Sequence, residues 1–217
     1  MNNTTKTIAV FKIGQKEHMQ RLLHEGLLYM NCVDYFRKSA NCDQGDIFEG
    51  AKIVDRGKVI SYRSTILREK IFCLWHINDR DSPIVDKCVP CGEGQWELTI
   101  ETNKFKGFTN NNLGESAIVV IQNMKEFNSR FRHELNKRHA HNYWSDAVKY
   151  YSPEDAHFLT VNAFMKPVSY QNQNELRYLV LDDVCNSGQP LEIKIGDISD
   201  IAMLFPMSQI RIIAEES

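Results

Sequence analysis

The sequence has no long apolar run. No segment approaches the roughly 20 apolar residues of a membrane-spanning helix, and residues Met1 to Lys6 lack the apolar core of a signal peptide. A strong charge of one sign is also missing, since 26 basic and 28 acidic side chains give a net charge of −2. This balance provides no overall attraction to nucleic acid or anionic lipid, although a local basic patch is compatible with it. We expect a soluble, cytoplasmic protein without membrane contact, whose partners are determined by local sites.

No linker, internal repeat or low-complexity tract divides the chain. Its 217 residues suit one large domain or two small ones, and 42% apolar residues can build a sizeable core. The predicted strands are of mixed character and outnumber the long helices, which favours an α+β fold over a doubly wound parallel sheet. We predict a single α+β domain over residues 1–217, with mixed, largely antiparallel small sheets flanked by a few helices.

Hydrophobic periodicity predicts the order of the elements. A strand at Thr7–Ile13 is followed by a helix at Gln15–His24, which Gly26 is well placed to end. The near-continuous apolar run Ala117–Gln122 predicts a central strand buried on both faces, and Met124–Arg138 predicts an amphipathic helix with a solvated basic face. Further strands are predicted at Leu27–Met30, Lys52–Val54, Val59–Tyr62, Lys70–His76, Trp96–Ile100, Val148–Tyr151, Leu191–Ile195 and Ile210–Ile213, and further helices at Pro153–Phe164 and near Gly196–Ser199.

Cysteine supplies only a weak metal signal. The six cysteines come without an export signal, so we expect reduced thiols and no disulfide framework. Cys88 and Cys91 have the spacing of two zinc ligands, but a second CxxC pair is absent. The alternative is a surface turn built on Pro90 and Gly92. We therefore expect no metal, with a weak indication of zinc at this pair.

Asp34–Gly50 is rich in turn formers and charged residues, which predicts a long functional loop. Two interpretations of Asp46 and Glu49 remain open. In the functional interpretation they form the edge of a ligand cleft or a weak divalent-ion site. In the structural interpretation they belong to a turn in which Asp46 caps a short helix.

The most informative segment is a predicted strand that contains Gln173, Glu175 and Arg177. Side chains two positions apart on a strand point to the same face, so an amide, a carboxylate and a guanidinium are aimed together. Such groups are rare on the core side of a strand unless they pair with one another or bind a ligand. The alternative is an edge strand whose solvated face holds a Glu175–Arg177 ion pair.

A set of short motifs, in this order and spacing, resembles a widespread bacterial and phage family with no assigned activity. The resemblance extends from about Ile8 to Ile201 and implies an architecture rather than a reaction. Its motifs are Gly26–Met30, Tyr35–Arg37, Gly45-Asp46-x-x-Glu49-Gly50, Ile71–Cys73, Gly114–Val120 with Glu126-Phe127, the residues Phe164, Lys166, Tyr170, Gln173, Glu175 and Arg177, and Ile195–Ile201.

The sequence also resembles the mono-ADP-ribosyltransferase superfamily in its opening strand and helix, in Glu25–Leu28 and in a late strand with a single, exposed glutamate. That resemblance implies an NAD cleft between two small sheets. It places Lys12 where the superfamily has Arg or His, and Glu175 at the catalytic glutamate. Tyr62 and Ser64 are the nearest candidates for its middle residue.

In such a site a carboxylate stabilises the positive charge that develops when the nicotinamide–ribose bond breaks. The resemblance therefore implies that Glu175 is catalytic, with Gln173 orienting the acceptor. Arg177 or Arg37 would bind a pyrophosphate through paired donors. Tyr170 completes the candidate cofactor-binding residues, although packing is its commoner role, as it is for Lys166.

Two other classes of function compete with this hypothesis. One is a non-catalytic nucleotide-binding or protein-interaction module in phage or host defence, in which Glu175 and Arg177 neutralise each other. The other is a metal-dependent nuclease that uses Asp46, Glu49 and Glu175 as oxygen ligands. Geometry discriminates between the transferase and the binding module. A pocket lined by Lys12, a tyrosine or serine, and Glu175 favours the NAD-using transferase, whereas a sealed Glu175–Arg177 pair favours the module.

Overall fold

The computed structural model describes residues 7–39, 45–78, 85–92, 95–100, 115–138, 140–182, 188–207 and 210–215. The chain has an α+β fold with largely antiparallel strand pairing, as predicted. It divides into two compact units. The first unit contains Met1–Leu27, Leu74–Glu134 and Lys194–Ser217, and the second contains Leu28–Cys73 and Leu135–Ile193. The single domain over residues 1–217 stays a prediction.

The elements follow one another in this order: β1 Thr7–Gln15, α1 Lys16–Glu25, β2 Leu27–Cys32, α2 Val33–Lys38, β3 Ala51–Asp55, β4 Lys58–Tyr62, β5 Glu69–Asn78, β6 Val85–Gly92, β7 Gln95–Ile100, β8 Ser116–Ile121, α3 Met124–Lys137, β9 Tyr143–Ala147, β10 Lys149–Tyr151, β11 Leu159–Thr160, β12 Met165–Pro167, a 3₁₀ helix Val168–Gln173, β13 Glu175–Leu181, β14 Leu191–Lys194, β15 Ala202–Pro206 and β16 Ile210–Glu215.

In the first unit, β1 pairs antiparallel with β8 on one side and with the second half of β5 on the other, and β15 pairs with β8. Every residue of β8 is buried, which confirms the predicted central strand. Strand β7 lies between β6 and β16 in a separate sheet. Helix α1 ends at Gly26, whose φ is 58°, and a Cβ there would lie 2.1 Å from the Gly196 carbonyl oxygen. Only glycine fits this position.

In the second unit, β13 pairs with β5 and antiparallel with β9, and β2 pairs with the first half of β5. Two small sheets accompany them, with the strand orders β11-β3-β4 and β10-β12. Among the described residues of this unit, apolar side chains pack into clusters. One is built on Val33, Ile71, Ala163 and Leu179, and another on Ala51, Val54, Ala156 and Val161.

Several predicted elements were wrong. Pro153–Phe164 is not a helix, because the Pro153 and Ala156 carbonyls accept hydrogen bonds from Gly57 and Arg56 of the β3–β4 hairpin, both at 2.7 Å. These tertiary bonds replace the helical ones. The predicted helix near Gly196–Ser199 is a turn, in which the Asp197 carboxylate accepts the backbone N–H of Ser199 at 2.7 Å.

Two predictions about loops also need correction. The start of the predicted loop Asp34–Gly50 is helix α2, and residues 40–44 lie outside the described ranges. Cys88 and Cys91 lie in β6 rather than in a surface turn, and their side chains are outside the described part of the structure. Within the described ranges, no helix has the length and apolar character to cross a membrane.

Candidate functional site

Strand β13 carries Glu175 and Arg177 into the interior of the second unit. The residues are 8% and 1% exposed, and β13 lies between β5 and β9. The alternative of an edge strand with a solvated ion pair was therefore wrong. The two side chains do form an ion pair, as the shared face predicts, with Arg177 Nη2 at 2.7 Å from Glu175 Oε2.

All five N–H groups of the Arg177 guanidinium donate hydrogen bonds within the protein. Nε and Nη2 reach Glu175 Oε2 at 3.2 and 2.7 Å, and Nη2 and Nη1 reach the two oxygens of Glu49 at 2.7 and 3.3 Å. Nη1 also donates to the Ala163 carbonyl. A guanidinium has five such donors, so Arg177 has none left for a pyrophosphate in this conformation.

Lys166, at the centre of β12, engages the other side of Glu175. Its ammonium donates to Glu175 Oε1 at 2.9 Å and to Gln173 Oε1 at 2.6 Å, and it lies 3.8 Å from Glu49 Oε1. The same ammonium is 4.9 Å from the centre of the Tyr170 ring. Both carboxylate oxygens of Glu175 therefore accept hydrogen bonds from buried cations.

We call these four charged residues, Glu49, Lys166, Glu175 and Arg177, the ionic cluster. Two carboxylates balance two cations, so the cluster carries no net charge. Burial alone would raise the pKa of Glu175, but the charges of Lys166 and Arg177 and their hydrogen bonds lower it to about 2. Burial opposes the charged forms of Lys166 and Arg177, yet the two glutamates raise both pKa values above their usual range. Lys166, Glu175 and Arg177 are therefore stabilised in their charged forms.

Gln173 contacts the cluster from a backbone conformation that differs from the predicted strand. It ends a 3₁₀ helix, and Asn174 has a φ of 43°, in the left-handed region. The chain therefore turns between Gln173 and Glu175, so the prediction of one strand through both residues was wrong. The amide still joins the predicted neighbours, because Lys166 bridges Gln173 and Glu175.

Asp46 lies beside the cluster and is 2% exposed. Its Oδ1 accepts the backbone N–H of Phe48 at 2.8 Å, which supports the turn interpretation. Residues 47–50 form a turn and not the short helix that Asp46 was expected to cap. Among the described residues, Asp46 Oδ2 and the Tyr151 hydroxyl are buried without a hydrogen-bond partner. Burial and the nearby charge of Glu49 raise the pKa of Asp46 to about 6. The pKa of this carboxyl group therefore lies close to physiological pH.

The remaining predicted site residues occupy other positions. Arg37 and Tyr62 meet on the outside of the second unit, where the guanidinium lies 4.8 Å from the ring centre, and Ser64 is exposed in the turn after β4. Tyr170 contacts Lys166 and donates its hydroxyl to the Gly45 carbonyl at 2.8 Å. Lys12 lies in β1 of the first unit and is half-buried.

Sequence reasoning missed the roles of Glu49, Lys166 and Tyr150. Tyr150 accepts the Glu175 backbone N–H at 3.1 Å. The three residues come from three separate segments, so strand periodicity cannot reveal their contact. The sequence does contain one indication of these contacts. Burying both Glu175 and Arg177 is energetically costly unless each has further partners of opposite charge, so additional charged neighbours could have been expected.

The arrangement offers few open ligand groups. Glu49 and Glu175 are engaged by cations, and among the described side chains no group of three or more His, Cys, Asp or Glu is placed to hold a metal ion. No protein-family model matches the chain, and neither does any curated protein or solved structure. Both family resemblances stay predictions.

Proposed function

We propose that the chain is a non-catalytic binding module of bacterial or phage origin that works in the cytoplasm, in phage or host defence. The observation that supports this proposal is the sealed state of Glu175. Its two oxygens accept hydrogen bonds from Lys166 and Arg177, and the residue is 8% exposed. A catalytic carboxylate must reach the reacting atoms, whereas a structural one is satisfied inside the fold.

An NAD-using ADP-ribosyltransferase is the second candidate, with Glu175 as its carboxylate. The observation in its favour is the concentration of shifted pKa values around Glu175, since such groups cluster at active sites. Structural ion-pair networks produce the same pattern. The bonding of Arg177, whose donors all meet protein acceptors, favours the structural interpretation.

The two candidates differ in what labelled NAD does in a cell extract. We expect the protein to transfer no label, while an active ADP-ribosyltransferase added to the same extract labels its target. Carbon-detected NMR provides a second readout. The Glu175 carboxyl should stay ionised at every pH above about 4, because its pKa is about 2.

Transfer of label by the wild type that disappears in Glu175→Gln would overturn the proposal, provided that circular dichroism shows the variant folded. Because this substitution disturbs a buried cluster, Lys12→Met serves as a second test in the first unit. A transferase of the predicted type would lose activity in both variants. Label transfer by the purified protein that persists in both variants would also overturn the proposal, because it would assign the activity to other residues of the chain.

A further inference from the structure

The turn at Gly45–Gly50 connects the ionic cluster to the outside of the second unit. Its two carboxylates, Asp46 and Glu49, point inward and are buried, whereas Ile47 is 66% exposed. The Tyr62 hydroxyl donates to the Ile47 carbonyl at 3.1 Å, and Arg37 lies over the Tyr62 ring. The contacts of Glu49 with Arg177 and Lys166 therefore hold one side of a turn whose other side carries an exposed apolar residue.

Strand β4 extends this exposed region. Exposure alternates along the strand, so Lys58, Ile60 and Tyr62 are exposed while the residues between them are half-buried. Ile60 is 53% and Tyr62 40% exposed. We call Arg37, Ile47, Lys58, Ile60 and Tyr62 the outer surface. Aromatic residues and arginine are the types enriched where proteins bind one another.

The charges of the outer surface have one sign. The segments that form it, Val33–Lys38, Gly45–Gly50 and β4, contain three carboxylates, and those of Asp34, Asp46 and Glu49 are all buried. Arg37 and Lys38 share the single carboxylate of Asp34, at 2.5 and 2.7 Å, so a positive charge is in excess there. Lys58 is a further cation, and the half-buried Asp55 lies opposite it in the β3–β4 hairpin. The excess positive charge at α2 therefore matches an acidic partner.

The form of the outer surface favours a protein over single-stranded nucleic acid. Ile47 and Ile60 offer aliphatic contacts rather than stacking platforms, and Arg37 covers one face of the Tyr62 ring. Strand addition to β4 is disfavoured, because the β3–β4 register shifts on both sides of Ile53. Contacts through side chains suit this irregular strand better.

We propose that the outer surface binds an acidic segment of a partner protein. Carboxylates of the segment would pair with Lys58 and with the cations of α2, and an apolar side chain would pack on Ile47 and Ile60. This inference rests on the proposed function and names the partner class of the module.

Fluorescence anisotropy with the full chain tests this proposal. The probes are a labelled peptide with phenylalanine and leucine among glutamates, the same peptide with lysines in place of glutamates, and a labelled oligothymidylate. We expect the acidic peptide to bind at least about tenfold more tightly than the lysine peptide. Lys58→Glu and Ile60→Ser, both at exposed positions, should each weaken its binding about fivefold or more.

Lys125→Glu provides the matched control, since it reverses the charge of an exposed lysine on α3 in the first unit and should leave binding unchanged. Equal weakening by Lys125→Glu would overturn the assignment of the surface, and so would no binding of the acidic peptide. Binding of the oligothymidylate in its place would assign the surface to nucleic acid. None of these results depends on NAD. The proposed binding of an acidic segment can therefore be contradicted while the proposed non-catalytic function still holds.

Discussion

Glu175 is a carboxylate whose neighbours determine its chemistry. The sequence predicted that it shares a face with Arg177, and strand geometry alone was sufficient for that. The sequence could not predict that Lys166 and Glu49 complete the pairing, because both are brought from other segments by tertiary folding. Glu175, a candidate catalytic residue in the sequence, is thus a residue whose two carboxylate oxygens both accept hydrogen bonds from cations in the structure.

Asp46 provides a prediction at the same scale. Its pKa in the folded protein, about 6, exceeds the ordinary value of 3.8. The stability that its neutral form contributes is therefore present below about pH 4 and is lost as the pH rises through about 6. Asp46→Asn keeps an acceptor for the Phe48 N–H and cannot ionise. We expect the variant to match the wild type near pH 4 and to be more stable by about 1–3 kcal/mol above pH 7.

Urea unfolding at a series of pH values measures this difference. Asp155→Asn is the control, because Asp155 is exposed and the same chemical change there should leave the pH dependence of stability unaltered. A constant difference between Asp46→Asn and the wild type across this range would show that Asp46 does not titrate in the folded protein as described.

At the scale of elements, periodicity predicted most strands and both long helices. β8 and α3 follow the apolar pattern closely, since a buried run and a 3.6-residue repeat are direct consequences of the face each element buries. The failures occurred where side chains or tertiary bonds compete with the helix, as at Pro153–Phe164. Gln173 was assigned to the strand because the apolar pattern gives no indication of a single left-handed residue such as Asn174.

Asn174 provides the prediction for elements. Its φ is 43°, in the left-handed region. Glycine adopts this conformation without strain, whereas most other residue types at this position would be destabilised by about 1–2 kcal/mol. Asn174→Gly and Asn174→Ala remove the same side-chain contacts, so their difference reports the backbone alone. We expect the alanine variant to be less stable than the glycine variant by about 1 kcal/mol in urea unfolding. Equal stabilities, or a more stable alanine variant, would show that this turn is not left-handed.

At the scale of the molecule, the pattern of predicted strands and helices indicated the α+β class but little of the function. Short strands and few helices follow from local sequence, and their pairing gives the largely antiparallel sheets. The proposed function depends on which charged residues are buried together and which remain outside. The outer surface was therefore not apparent from the sequence, although Arg37 and Tyr62 were both singled out as ligand-binding candidates.

We propose that Glu175 compensates the buried cations Lys166 and Arg177 rather than performing catalysis. The direct measurement is a double-mutant cycle of unfolding free energies for Glu175→Gln and Lys166→Met. Each single variant leaves the ionic cluster with one uncompensated buried charge, so each should cost about 3–5 kcal/mol. The double variant should cost less than the sum of the two, by about 1–3 kcal/mol. Single costs below about 1 kcal/mol, or strictly additive costs, would contradict this role of Glu175.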